Sequence, residues 1–61
     1  MREAEIIDYA NRLLQAHGDQ AELEAAQKAN EAERKNDAVQ ARDWQRIRSA
    51  IRTMRNGAPV Q

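Results

Sequence analysis

The chain has 61 residues, no cysteine and a formal net charge of zero. The lack of cysteine excludes a disulfide framework and a thiolate zinc site, and no apolar run reaches the roughly 18 residues that a membrane-spanning helix needs. A chain this short buries only about 60% of its unfolded surface. We therefore expect one small domain over residues 1–61 whose stability depends on a partner or on self-association.

The composition is typical of an all-α protein. Phe is absent, Gly and Pro number two and one, and the helix-favouring residues Ala, Glu, Gln and Arg are frequent. The N-terminal stretch MREAEIIDYANR carries acidic residues and lacks the apolar core of a secretory signal. The sequence thus predicts a cytoplasmic helical protein.

The zero net charge conceals a division along the chain. Residues 1–33 carry three basic and eight acidic side chains, a net charge of −5. Residues 34–61 carry seven basic and two acidic side chains, a net charge of +5. Such halves either pair within the chain or contact different partners.

The first predicted helix runs from about Arg2 to Ala16 and ends at the tripeptide His17-Gly18-Asp19. Gly18 is a candidate C-terminal cap because glycine adopts positive φ without a Cβ clash. Asp19, followed three residues later by Glu22, has the pattern of an N-cap and capping box. A turn this short favours an antiparallel αα-hairpin. The apolar residues recur at helical spacing and are Ile6, Ile7, Ala10, Leu13 and Leu14.

The second predicted helix runs from about Gln20 to Lys35, and the third from about Ala38 to Arg55. The second has small inward residues, whereas the third has the clearest amphipathic stripe in the chain. Asp37 is a candidate N-cap between them, and one uninterrupted helix from Gln20 to Met54 is the alternative. Gly57 is a candidate C-terminal cap, followed by a frayed tail, so that residues 57–61 lie outside the packed unit. The inward alanines of the second helix are Ala21, Ala25, Ala29 and Ala32.

The third helix supplies the candidate interface. Bulky apolar residues are too few to offset the entropy of ordering the chain, which predicts a homodimer or another protein partner. Trp44 has three interpretations: a core anchor, an interface hot spot or a stacking platform for a nucleic-acid base. The predicted shared surface comprises Trp44, Ile47, Ile51 and Met54.

The same helix is rich in arginine. At 100° per residue, Arg48, Arg52 and Arg55 lie on one flank of the apolar stripe, and the remaining two face solvent. The arginines are either neutralised by the acidic half of the chain, or they bind nucleic acid through its phosphates, or they bind an acidic protein or an anionic membrane. The candidate polyanion-binding residues are Arg42, Arg46, Arg48, Arg52 and Arg55.

No residue pattern indicates an enzyme, a cofactor or a metal site. His17 is the only histidine, and a structural role at a helix C-terminus suits it because the helix dipole is negative there. Catalysis or metal binding would need Asp19 or Asp8 as a partner, and a pH-sensing role is a third interpretation. We expect a non-enzymatic protein with no catalytic, metal-binding or cofactor-binding residues.

The order of these features resembles a group of short uncharacterised bacterial helical proteins, mostly from proteobacteria. The similarity covers residues 9 to 51, and where that group has Gly-Asp at its second break this chain has Asn36-Asp37. The resemblance implies a three-helix unit and no particular activity. We therefore expect a small three-helix bundle. The residues that carry the similarity are Ala10, His17, Gly18, Asp19, Ala21, Asp37, Trp44, Ile47 and Ile51.

Overall fold

The computed structural model describes residues 2–57, and most of them are helical. Helix α1 spans Glu3–His17, a single 3₁₀ turn spans Gly18–Gln20, α2 spans Ala21–Arg34 and α3 spans Ala38–Arg55. The Cα radius of gyration is 10.9 Å, close to the roughly 10–11 Å of a folded domain of this size. The predicted all-α class is confirmed, and no strand occurs within the described range. The tail predicted to fray lies, after Gly57, outside that range.

Helices α1 and α2 form one long, bent helical stretch. Helix α1 begins where the Glu5 carboxylate accepts a hydrogen bond of 2.9 Å from the backbone N–H of Arg2. It ends at Gly18, which has a φ of 56° and whose N–H donates to the Leu14 carbonyl. Asp19 and Gln20 then continue in a 3₁₀ turn that leads directly into α2. Since only one residue leaves helical geometry, the chain bends here, and the reversal predicted at this tripeptide does not occur.

The chain reverses instead between α2 and α3. Asn36 has a φ of 59°, the N–H of Asn36 donates to the Glu33 carbonyl at 3.0 Å, and that of Asp37 donates to the Ala32 carbonyl at 2.9 Å. These two bonds form a Schellman motif, which satisfies the last carbonyls of α2. Asp37 then caps α3 by accepting the Gln40 N–H at 3.1 Å. The uninterrupted helix from Gln20 to Met54 is therefore wrong, and α2 and α3 form an antiparallel hairpin.

The core is thin because most of its residues are alanines. Among residues 2–57, only three bulky side chains are buried, and each is at most 3% exposed: Ile6, Ile47 and Ile51. Leu13, Leu14, Trp44 and Met54 pack against this core but are only partly buried. Alanines let α2 approach α3 closely but each removes little apolar area from water. The buried alanines are Ala10, Ala21, Ala25, Ala29, Ala32, Ala41 and Ala50.

Candidate interaction surfaces

The four apolar residues predicted as a shared surface lie in two different environments. Ile47 and Ile51 are 1% and 0% exposed, so packing within a single chain already covers them. Trp44 and Met54 are partly buried and lie at the edge of the core. The four residues therefore do not form one surface, since their helical stripe faces α1 and α2 and leaves only its two ends accessible.

Trp44 contacts an aromatic partner from α1. Its ring centroid lies 5.4 Å from that of Tyr9, with the ring planes at 87°, which is the edge-to-face arrangement that aromatic pairs prefer. Tyr9 itself remains 40% exposed. The pair joins α1 to α3. Sequence spacing places Tyr9 at the edge of the α1 stripe but does not identify its partner.

A separate apolar groove runs between α1 and the C-terminal end of α3. We name it the α1–α3 groove; its volume is about 770 Å³. Ile7, Leu14 and Met54 are its larger apolar side chains, and all three are partly exposed. The α1 residues of the groove recur at spacings of three and four, the repeat that forms a continuous seam on a helix. The lining residues are Ala4, Ile7, Asp8, Asn11, Leu14, Met54 and Gly57.

Three arginines of α3 converge on one carboxylate of α2, and we name this group the Arg–Glu22 cluster. Arg52 donates from Nε and Nη2 to Glu22 Oε2 at 3.2 and 2.9 Å. Arg55 Nη1 donates to the other oxygen at 3.2 Å, and Arg48 Nε lies 3.7 Å from Oε2. The antiparallel hairpin creates this cluster, because it places the N-terminal turn of α2 beside the last two turns of α3.

The cluster changes the acidity of its central carboxylate. The hydrogen bond from Arg52 holds the pKa of the Glu22 carboxyl below its usual range. Partial burial opposes this shift, whereas the charges of Arg52, Arg48 and Arg55 reinforce it. Glu22 therefore stays ionised into acidic solution, and it partly neutralises the basic flank of α3 from within the chain.

Asp19 does not cap α2, contrary to the prediction from its Asp-x-x-Glu pattern. The residue preceding α2 is Gln20, and no side chain caps the helix there. Glu22, the expected second member of the capping box, faces the arginines. The Asp19 side chain is 94% exposed, and its carboxylate lies 3.8 Å from Arg55 Nη2. A 3₁₀ turn continues straight into α2, so the extended backbone that an N-cap needs does not arise at this position.

Arg42 and Arg46 lie on the opposite side of α3 from the cluster. Both are exposed, and within residues 2–57 neither side chain forms an ion pair. The five arginines proposed as one polyanion surface thus divide into three that contact acidic side chains and two that face solvent.

His17 contacts a carboxylate that the sequence did not suggest. Its Nδ1 lies 2.8 Å from Glu24 Oε2, across the bend between α1 and α2. Of the two expected partners, Asp8 pairs with Arg12 at 3.2 Å and Asp19 lies near Arg55. The described residues contain no group of three side chains suited to a metal ion. The contact between His17 and Glu24 joins the last turn of α1 to the first turn of α2.

Gly57 follows the last turn of α3 in the conformation expected of a capping glycine. Its φ is 76°, and its N–H donates to the Met54 carbonyl at 3.1 Å. Gly57 thereby closes one end of the α1–α3 groove.

No protein-family model, curated protein or solved structure matches the chain. None of the helices in residues 2–57 is both long enough and apolar enough to cross a membrane.

Proposed function

We propose that the chain is a small three-helix bundle that acts as a non-enzymatic protein–protein interaction module, an adaptor or regulator, and that it self-associates through the α1–α3 groove. The observation that carries this proposal is the thin core. Seven of its ten buried apolar residues are alanines, while bulky side chains such as Ile7, Leu14 and Met54 remain partly in water.

The energetics of a short chain support this proposal. Burial of bulky apolar side chains is the main favourable contribution to folding, and the entropy of ordering the chain opposes it. Among residues 2–57, the bulky side chains that are buried are three isoleucines, so a single chain obtains little of this contribution. A second molecule that covers the α1–α3 groove buries apolar side chains that one chain leaves partly exposed, and this burial stabilises the folded state.

The groove suits a second copy of the chain because side chains of different size follow one another along it. Along α1 the groove presents large apolar side chains next to small or polar ones, in the order Ala4, Ile7, Asp8, Asn11 and Leu14. A twofold axis between two copies places the projections of one copy over the recesses of the other. Asn11 within such a seam specifies register, as polar residues do at inward positions of coiled coils.

Sedimentation equilibrium of the wild-type chain and two variants tests self-association. We expect a wild-type dimer, and we expect Leu14→Gln to raise its dissociation constant by about tenfold or more, since central apolar contacts contribute most of the binding energy. Leu23→Gln is the matched control, because Leu23 is 53% exposed on α2, outside the groove. A wild-type chain that stays monomeric at millimolar concentration overturns the proposal, as does an equal effect of the two substitutions.

Nucleic-acid binding is the second candidate function, and the exposure of Arg42 and Arg46 favours it. Two exposed guanidinium groups on one face of α3 suit phosphate contacts. A DNA or RNA titration at two salt concentrations tests this function: a steep loss of affinity with salt supports it. No binding at micromolar concentration of the polyanion, or an unchanged affinity after removal of both arginines, overturns it.

A further inference from the structure

The Arg–Glu22 cluster has more hydrogen-bond donors than the chain itself uses. Each guanidinium carries five N–H donors, and three of these groups meet the carboxylates of Glu22 and Asp19, which gives the cluster a formal charge of +1. Arg52 directs two nitrogens at Glu22. Arg48 approaches only through Nε, at 3.7 Å, and among the described residues its terminal nitrogens make no hydrogen bond.

The spare donors border a depression with an apolar side. Arg48 and Arg55 line a space of about 320 Å³ together with Leu23, Ala26 and the acidic residues Asp19 and Glu22. Leu23 is 53% exposed, so its apolar surface is open to contact. The depression therefore places two arginines, each near a carboxylate of the chain itself, beside an apolar wall from α2.

Asp19 lines this space, but its contact with Arg55 is weak. Its carboxylate stands 3.8 Å from Arg55 Nη2, and its side chain is 94% exposed. Ion pairs this open to water contribute little to stability, so another carboxylate can replace Asp19 without disturbing Glu22. Arg55 is already held by its hydrogen bond to Glu22, and a donor that is fixed in advance loses less entropy on binding.

We propose that this depression binds a segment of another protein in which an Asp or Glu side chain stands next to an apolar side chain. Arg48 and Arg55 bind the carboxylate, and Leu23 with Ala26 contacts the apolar neighbour. The positive charge of the cluster selects an acidic partner, and the apolar wall distinguishes such a segment from a plain polyanion. This surface lies outside the α1–α3 groove, so the inference goes beyond self-association.

Titration of the full chain with a short Glu-Leu peptide, followed by NMR of the arginine Nε–Hε groups, tests the proposal. We expect the signals of Arg48 and Arg55 to shift and that of Arg42 to stay. A Gln-Leu peptide is the matched ligand control, and we expect it to bind about tenfold more weakly, because charged hydrogen bonds are the stronger ones. Equal affinity for the two peptides, or no shift at millimolar peptide, overturns the proposal.

Two matched variants locate the binding site. Arg48→Gln should lower the affinity for the Glu-Leu peptide by about tenfold. Arg42→Gln, the same change on the opposite side of α3, should leave this affinity unaltered. Leu23→Ser should weaken the Glu-Leu peptide but not a Glu-Gly peptide. Circular dichroism verifies that each variant keeps its helices. Equal weakening of peptide binding by the two arginine variants indicates a general polyanion surface and overturns the proposal.

The outcomes separate this inference from the proposed dimer. Arg48→Gln should leave the sedimentation behaviour unchanged, and Leu14→Gln should leave peptide binding unchanged. If the chain forms a dimer but does not bind the peptide, only this inference is wrong. If the chain binds the peptide but stays monomeric, only the proposed self-association is wrong.

Discussion

The two junctions between helices carry nearly the same sequence pattern, yet the chain bends at one and reverses at the other. The first junction has Asp19 followed by Glu22, and the second has Asp37 followed by Gln40. At the first, one glycine leaves helical geometry and a 3₁₀ turn resumes at once. At the second, Asn36 adopts positive φ and Asp37 a different non-helical conformation, with φ of −99° and ψ of 84°, before α3 begins.

The comparison teaches that the number of non-helical residues decides between a bend and a hairpin. One residue at positive φ changes the helix direction but leaves no room for an N-cap with β-like backbone. Two consecutive non-helical residues supply both a left-handed cap for the preceding helix and a non-helical N-cap for the next. The glycine at the first junction is therefore a weaker indicator of reversal than the Asn36-Asp37 pair.

The largest effect is expected from substituting the residue that bends the chain. Gly18 has φ of 56° and ψ of −125°, a region that residues with a Cβ atom rarely adopt. Nothing lies within 4 Å of an added Cβ, so the cost comes from backbone strain alone. Gly18→Val should lower the free energy of unfolding by about 2 kcal/mol, measured by urea denaturation.

At the second junction, substituting the residue with positive φ should raise the free energy of unfolding slightly rather than lower it. Asn36→Gly relieves a mild left-handed strain, since Asn tolerates this region better than most residues, and it should alter the free energy of unfolding by less than about 0.5 kcal/mol. A Gly18→Val variant as stable as the parent would show that Gly18 does not adopt positive φ, and the contrast between the two junctions would be lost.

The fold class and the three helical segments follow from the sequence alone. The prediction of α1 differs from the observed helix by one residue at each end, and α3 has the predicted bounds, because apolar spacing and local caps are encoded within each segment. The alanine stripe of α2 also faces the core as its spacing indicates. Local patterns suffice wherever the forces that decide the structure are local.

The missed features all depend on contacts between distant parts of the chain. The spacing of Arg48, Arg52 and Arg55 places them on one flank of α3. Which carboxylate they contact depends on the register of the hairpin, which the sequence pattern does not determine. The same register separates Ile47 and Ile51, inside the core, from Trp44 and Met54 at its edge. The partner of His17 is likewise selected by the bend, because Glu24 approaches it only when α2 continues from α1.

A smaller effect is expected from removing the two aspartates one at a time. Asp37→Ala deletes the acceptor for the Gln40 N–H and should lower the free energy of unfolding by about 1 kcal/mol, the usual contribution of an N-cap. Asp19→Ala should change it by less than about 0.5 kcal/mol, because this exposed carboxylate caps nothing. Equal losses in thermal or urea denaturation would show that both junctions are capped alike.

The smallest effect concerns Glu22 and acid stability. Because its pKa is held low in the folded chain by Arg52, the unfolded chain binds the proton more readily. The stabilisation is complete above the ordinary glutamate pKa of about 4.3 and is lost as pH falls through the lower folded pKa. Glu22→Gln removes this dependence, so the variant should lose less stability than the parent on acidification below about pH 5, as measured by urea denaturation across that range.

Glu22→Gln also makes the first junction match the second, since both then read Asp-x-x-Gln. If the Gln at the fourth position were what makes the second junction a capped reversal, the variant would gain an N-cap at Asp19 and the chain would reverse there. We expect no such change, because the 3₁₀ turn after Gly18 holds Asp19 out of the extended conformation. Glu31→Gln, which removes a carboxylate from an exposed pair with Lys35, is the matched control and should change the acid dependence less. An equal change in both variants would mean that the arginines stabilise Glu22 no more than a single lysine stabilises an exposed neighbour on its own helix.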